Sequence, residues 1–149
     1  MARIPNPVRT RKDGVEVVSS VDKAKFTLHE LIRAANRATG AHLRRRMLRE
    51  ARKMPGMRKN RRLGAAFQYW ARRRETDLVI GSKHGTWYGS GQELGTKNQP
   101  KRGIIRSTVM AETDAIRKIQ GQFISAIEDD NRARAEIDTE NEGDNDEND

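Results

Sequence analysis

The chain of 149 residues has no cysteine, which excludes a disulfide scaffold, thiol catalysis and cysteine–zinc sites. Only 5% of its residues are aromatic, so platforms for base stacking are few. No stretch approaches the roughly 18 apolar residues that a membrane-crossing helix needs. The opening Met1-Ala2-Arg3-Ile4-Pro5 lacks an apolar signal core, so neither a secreted precursor nor a membrane protein is expected. Hydrophobic residues make up 34%. That suffices for one compact domain with a modest core and tails, hardly for two. There is no internal repeat.

What the chain has in abundance is charge, unevenly spread. Thirty Lys and Arg against 21 Asp and Glu give a net charge of +9. From Glu128 to Asp149 eleven acids face only Arg132 and Arg134, a net of −9, which leaves +18 on residues 1–127. Residues 138–149 contain no aromatic or aliphatic side chain and cannot offset their own ordering entropy. Residues 131–149 are therefore expected as an acidic disordered tail. At the other end Pro5 and Pro7 lie among Arg3, Arg9, Arg11 and Lys12, so residues 1–14 read as a basic extended arm. The single folding domain is assigned to residues 15–130.

Within it, Val15-Glu-Val-Val18 suggests a short strand. Thr27 and Glu30 have capping-box spacing, with Phe26 and Leu31 placed as a hydrophobic staple. Leu28, Leu31, Ile32, Ala35, Ala38, Thr39, His42, Leu43 and Met47 then recur at spacings of three and four. This predicts a long helix, weakened locally by Gly40 and stopped by Pro55-Gly56. Leu63, Ala65, Phe67, Tyr69 and Ala71 alternate as in a half-buried strand. Asp77–Gly81 supplies its antiparallel partner across a turn at Arg74-Glu-Thr. The stretch from Gly85 to Gly95, with four glycines, implies tight loop structure. Val109, Ile116, Ile119, Phe123 and Ile127 mark a second helix from about Ser107 to Asp130, with Ser107 or Thr108 as N-cap. The expected fold is α+β, a small antiparallel sheet packed against a long N-terminal helix and a C-terminal helix. Phe67, Ile80, Ile116, Ile119 and Phe123 are its expected core.

Catalytic candidates are weak. His29, His42 and His84 have no second ligand at metal spacing and read as surface or core-edge residues, so no metal or other cofactor is expected. Gly89-Ser90-Gly91 is not a nucleophile elbow, and Tyr88-Gly-Ser-Gly-Gln-Glu-Leu-Gly lacks a Walker lysine. Asp77, Glu93, Glu112 and Asp114 are too scattered to propose as a catalytic pair, and no enzyme is expected. The basic block is more pointed: Arg44, Arg45, Arg46, Arg49, Arg52, Lys53, Arg58, Lys59, Arg61 and Arg62 face Glu50 alone. Clustered cations release counterions from nucleic acid, or they meet an acidic protein partner. With few aromatic stacking positions (Phe67, Tyr69, Trp70, Trp87, Tyr88) and no nucleic-acid-binding signature, protein contact is favoured; nucleic-acid binding through residues 44–62 is the alternative.

The order Tyr88-x4-Glu93-Leu94-Gly95-Thr96, then Pro100-Lys101-Arg102-Gly103-Ile104-Ile105-Arg106, then an amphipathic helix, resembles a phage morphogenesis family. This is the gene-product-ten family of lambda-like tailed phages, the head–tail joining or tail-completion proteins of the neck. The likeness covers residues 55–130. Leu94 stands where the family usually has Phe, and Gly103-Ile104 replaces its Pro-Phe. The resemblance implies a virion protein, assembled in the host cytoplasm into a homo-oligomeric ring of six copies, with twelve as the alternative. Its implied partners are a head-closure or connector protein and the tail terminator or tail tube, with packaged DNA passing through the lumen without specific binding. Tyr88, Glu93, Leu94, Gly95, Thr96, Pro100, Arg102, Ile104, Ile105 and Arg106 are then the expected assembly interface.

Overall fold

The computed structural model describes residues 5–54, 66–72, 74–83, 91, 93–98 and 100–146, with side chains through residue 139. It is α+β. Strands β1 (Val8–Lys12) and β2 (Val15–Ser19) lead into the 33-residue helix α1 (Val21–Lys53). Strands β3 (Phe67–Ala71) and β4 (Leu78–Ser82) follow, then helices α2 (Ile104–Ala111) and α3 (Thr113–Ile124), a 3-10 turn Ser125–Glu128, and helix α4 (Asp130–Asp146). The expected breaker Pro55-Gly56 and the early strand residues Leu63 and Ala65 lie outside the described residues.

Helix α1 is the spine, and its successive faces take different partners. Asn36, Gly40 and Arg44, each one turn apart, form the line on which the β3–β4 hairpin lies. The Asn36 amide donates to Thr76 O at 3.1 Å, holding the hairpin turn, where Thr76 has φ of 50°. Arg44 Nε donates to Phe67 O at 3.1 Å and holds the base of the first strand. Between them the Tyr69 ring lies flat against Gly40. A Cβ at residue 40 would stand 2.5 Å from Tyr69 Cγ and 2.9 Å from Cε2. The hairpin is antiparallel, with Tyr69 opposite Ile80 and Phe67 opposite Ser82. Alternation then puts Phe67, Tyr69 and Ala71 toward α1 and leaves Trp70 outside.

Helices α2 and α3 run back along α1 in antiparallel register. Ile104 packs with Met47, Ala51, Leu43 and Phe67, and Ile80, Val109 and Ile116 close over this cluster. One step further along, Phe123 and Ile119 fill the space beside Ala34, Ala35 and Ala38. At the far end Leu31 meets Ala126, Ala133 and Ile137. Of the five residues expected in the core, Phe67 and Phe123 are buried, at 7% and 5% exposure, while Ile80, Ile116 and Ile119 pack on these clusters half-buried.

Four expectations need correction. Helix α1 starts at Val21, not at Thr27, which is buried inside the helix. Asp22 in the first turn suits the helix dipole, and Lys23 is tied to Asp130. The later helix starts at Ile104, ahead of Ser107 and Thr108, and Thr108 is buried rather than capping. It is also broken at Glu112, although backbone bonding carries through from Glu112 N to Thr108 O (3.0 Å) and from Ile116 N to Glu112 O (2.9 Å). The tail is not structureless from residue 131: α4 is capped by Asp129, whose Oδ1 accepts from Asn131 N at 2.9 Å. Ala133 and Ile137, one turn apart, give α4 an apolar anchor that the acidic composition obscures. Finally, Val8–Lys12 of the basic arm is a strand paired with Val15–Ser19, and this hairpin is exposed throughout.

Gly40→Ala replaces glycine by the better helix former, worth about 1 kcal/mol in an open helix. Because the Tyr69 ring occupies that space, net destabilisation of about 1–3 kcal/mol is expected instead. Urea unfolding monitored by far-UV circular dichroism measures the sign.

Candidate assembly surface

The Glu-Leu-Gly-Thr segment and the loop leading into α2 are held together by one carboxylate. Glu93 Oε2 accepts from Ile105 N at 3.0 Å and Oε1 from Arg106 N at 3.1 Å. Both donors belong to the first turn of α2, whose N–H groups have no partners within the helix. The residue preceding that helix, Gly103, has φ of 57° and offers no side chain to cap it. Glu93, ten residues upstream, therefore does the work of an N-cap, and its charge complements the positive end of the helix.

Gly95 makes this possible. Its φ is +82°, and a Cβ there would stand 3.0 Å from Lys101 N, so the two loops touch backbone to backbone only because residue 95 is glycine. Its own N–H donates to Gly91 O at 2.9 Å. The chain turns sharply at this glycine, the last of the glycine-rich stretch. The consequence is that Leu94 is pushed out to 71% exposure, next to the exposed Thr96, Pro100, Arg102 and Arg106. Arg102 reaches Met54 Sδ at 3.0 Å, which links the loop to the end of α1. Ile104 and Ile105 do not belong to this edge. Ile104 is buried among Met47, Ala51 and Phe67, and Ile105 packs on the same cluster, because the helix they begin must cover α1. Tyr88 lies outside the described residues.

The basic block divides by helix face. Arg44 is turned to Phe67 O, and Lys53 pairs with Glu50 at 2.6 Å. Arg46 Nε donates to Glu112 Oε1 at 2.6 Å, while His42 Nε2 donates to Glu112 Oε2 at 2.8 Å. These two cover both oxygens of Glu112, whose side chain is 12% exposed. The pairing sits at the α2–α3 break and clasps it to α1. Hydrogen bonding by Arg46 first, and by His42 second, holds the Glu112 carboxyl below its ordinary value, and Glu112 in turn raises the Arg46 guanidinium. Arg45, Arg49 and Arg52 are exposed on the outward ridge of α1 and make no ion pair among the described residues. Arg58, Lys59, Arg61 and Arg62 lie outside the described residues, as do His84 and Trp87.

No family model, curated protein or solved structure matches this chain. The site therefore stands on its own geometry. Sequence reasoning missed the Glu112 clasp. His42 and Arg46 are spaced by one turn, which is a visible hint, but their partner is about seventy residues away. Among the described residues no three His, Asp or Glu side chains come together as metal ligands would, and no helix is long and apolar enough to cross a membrane.

Two outcomes are expected. Glu93→Ala uncaps α2 and costs about 0.5–2 kcal/mol, with Glu93→Gln intermediate because it keeps an acceptor but loses the charge; chemical unfolding of the two variants checks the order. Glu112 is easier to protonate in the unfolded chain than in the folded one. Its stabilisation is therefore complete above its ordinary value near 4.5 and is lost as the pH falls through its lower folded value. Melting temperatures measured from neutral pH into the acid range should show a steeper decline for the parent than for Glu112→Gln.

Proposed function

We propose that this chain is a structural virion protein of a tailed bacteriophage, a subunit of a ring in the neck that joins or completes the tail at the head–tail interface. The observation that carries the reading is the Glu93 cap. In the segment that resembles the head–tail joining family, a glutamate braces two loops, so that Leu94 and the flanking Arg102 and Arg106 form a fixed outward edge. A bulky aliphatic side chain at that exposure, on a loop tied by its own hydrogen bonds, supports reading this edge as a contact surface. Its neighbours in such an assembly are further copies of this chain, six favoured over twelve. Above and below lie a head-closure or connector protein and a tail terminator or tail tube. DNA passes through the lumen without specific recognition, and the protein acts in the virion after assembly in the host cytoplasm.

The second reading, a nucleic-acid-binding protein, draws on the exposed arginines Arg45, Arg49 and Arg52, which make no ion pair among the described residues. Salt separates the two. A dedicated duplex binder retains affinity at about 0.15 M salt, with a steep dependence set by the phosphates it neutralises. The ring subunit shows only weak, non-specific retention that fades at that ionic strength.

Negative-stain microscopy and native mass of the purified protein, alone and mixed with tails, test the proposal. Rings are expected in solution or on tail ends, with Leu94→Asp impairing their formation while the protein still unfolds cooperatively. A strict monomer in both settings overturns it.

A further inference from the structure

The β1–β2 hairpin stands off the body of the molecule. Every residue of both strands is exposed, and among the described residues no hydrogen bond or ion pair joins residues 8–19 to the rest of the chain. It is connected to α1 through Ser20. A two-stranded ribbon by itself is marginal in water and needs a third strand or a surface to lie on. Its turn is Asp13-Gly14, with φ of 51° and 84°, the doubly positive geometry that matches strand twist. Lys12 and Val15 flank that turn and face each other. They form a hydrogen-bonded pair, and so, by alternation, do Thr10 with Val17 and Val8 with Ser19. The remaining pairs, Arg11 with Glu16 and Arg9 with Val18, turn their N–H and C=O groups away from the partner strand. Because the sheet has two strands, each outer edge is a row of backbone groups with no partner among the described residues. On β1 the row is Arg9 and Arg11; on β2 it is Glu16 and Val18.

We infer that neighbouring copies of this chain join by strand addition, the β2 edge of one accepting the β1 edge of the next. The inference takes from the ring-subunit reading only that copies of the chain adjoin, and it names the contact between them. In antiparallel register Glu16 comes opposite the neighbour's Arg11 and Val18 opposite its Arg9, each pair exchanging both backbone bonds. Val17 then meets the neighbour's Thr10. This is the register that the two strands already keep within one copy, so the sheet continues without a shift. Val8, Val15 and Val17, all more than half exposed in a single copy, fall on one face of the extended sheet in every copy. Pairing of like edges is poorer. Two β1 edges centred on Thr10 set Arg9 directly against Arg11 twice over, and like charges so placed destabilise a sheet. Two β2 edges centred on Val17 bring the Glu16 residues of both copies to diagonal positions, about 7–8 Å apart, and leave both β1 edges bare. Joining β2 to β1 puts an acid opposite a base and uses both edges of every copy. The contact is heterologous and repeats, closing into a ring when the rotation allows. A closed sheet has no free edge.

Disulfide trapping tests the register, because the chain has no cysteine of its own. Across the joint Thr10 and Val17 form a non-hydrogen-bonded pair, whose Cα atoms stand about 4.5 Å apart, within the span of a disulfide. Thr10→Cys and Val17→Cys are made as separate full-length proteins and oxidised alone and mixed, in solution and on tail ends, with linked dimers read on non-reducing gels. The mixture is expected to cross-link at least about tenfold faster than either variant alone, since only there do the two thiols meet at the required distance. Both positions are exposed and touch nothing of the body, and thermal melts verify that the variants keep their fold. A second measurement needs no substitution. The outward amides of Arg9, Arg11, Glu16 and Val18 exchange hydrogen freely in separate copies, and their exchange should slow by about tenfold or more when copies associate.

If Val17→Cys links to itself as fast as the mixture does, the contact is a twofold pair of β2 edges and the inference is overturned. Protection of residues 8–19 that appears in separate copies only when duplex DNA is added assigns the ribbon to nucleic acid and overturns it as well. Rings that form without faster linking in the mixture, or without slowed exchange on both strands, remove the inference while the neck reading stands. Copies that link only in the mixture but build no ring in solution or on tails uphold the strand contact and remove the neck reading. Should no copy join another in either setting, both fall.

Discussion

How closely two elements approach is set by the side chains between them, and along α1 those side chains are small. Ala34 and Ala35 leave room for the Phe123 ring, Gly40 for the Tyr69 ring, and Ala51 for Ile104. At the helix start the bulk is reversed, with Leu31 set among Ala126 and Ala133. Two of the chain's few aromatic rings, Phe123 and Tyr69, are each given a slot of this kind. Each slot also defines where its occupant must sit, so the hairpin, the returning helices and the C-terminal helix are each seated on α1, and Phe67 and Ile104 join the first two directly. Enlarging a slot residue displaces a whole element rather than one side chain, since close-packed interiors have little slack.

Polar contacts refine the same frame. Asn36 and Arg44 spend their hydrogen bonds on backbone carbonyls of the hairpin, one at its turn and one at its base. Such bonds constrain where a strand lies without depending on its side chains. The Glu112 clasp fixes the returning helix at its break, and the Glu93 cap fixes the start of that helix. Two carboxylates, each bonded through both oxygens, thus pin a helix that has no capping side chain of its own. The exposed loop edge around Leu94 is tied through Glu93 to the start of that helix.

Much of this was legible in sequence. Alternation from Phe67 to Ala71 gave the hairpin and its inward face, and the three–four spacing of α1 gave its buried stripe. What failed did so for identifiable reasons. Thr27-x-x-Glu30 matches a cap locally, but the helix runs upstream to Val21, and its first turn holds Lys23, whose partner Asp130 is more than a hundred residues away. Ile104 and Ile105 looked like a surface pair beside two arginines, whereas the start of α2 covers Met47 and Ala51. In the acidic tail, average composition hid the pair Ala133 and Ile137, which one helical turn brings to the same face. For the assembly surface, the motif residues were visible as a pattern, but the role of Glu93 depends on a turn at Gly95 and on Gly103, neither of which specifies a partner for the carboxylate.

The antiparallel return of the chain along α1 also sets the order in which the protein can be completed during synthesis. Helix α1 follows the exposed β1–β2 hairpin, and its residues in the three core clusters have no partners among the described residues that precede it. The first cover arrives with β3, the next with α2 and α3, and the last with Ile137, some eighty residues after α1 ends. At ribosomal speeds of about 5–20 residues per second, the helix waits for several seconds before its final partner is made. The closing contacts of α1 therefore form only once residue 137 has been made.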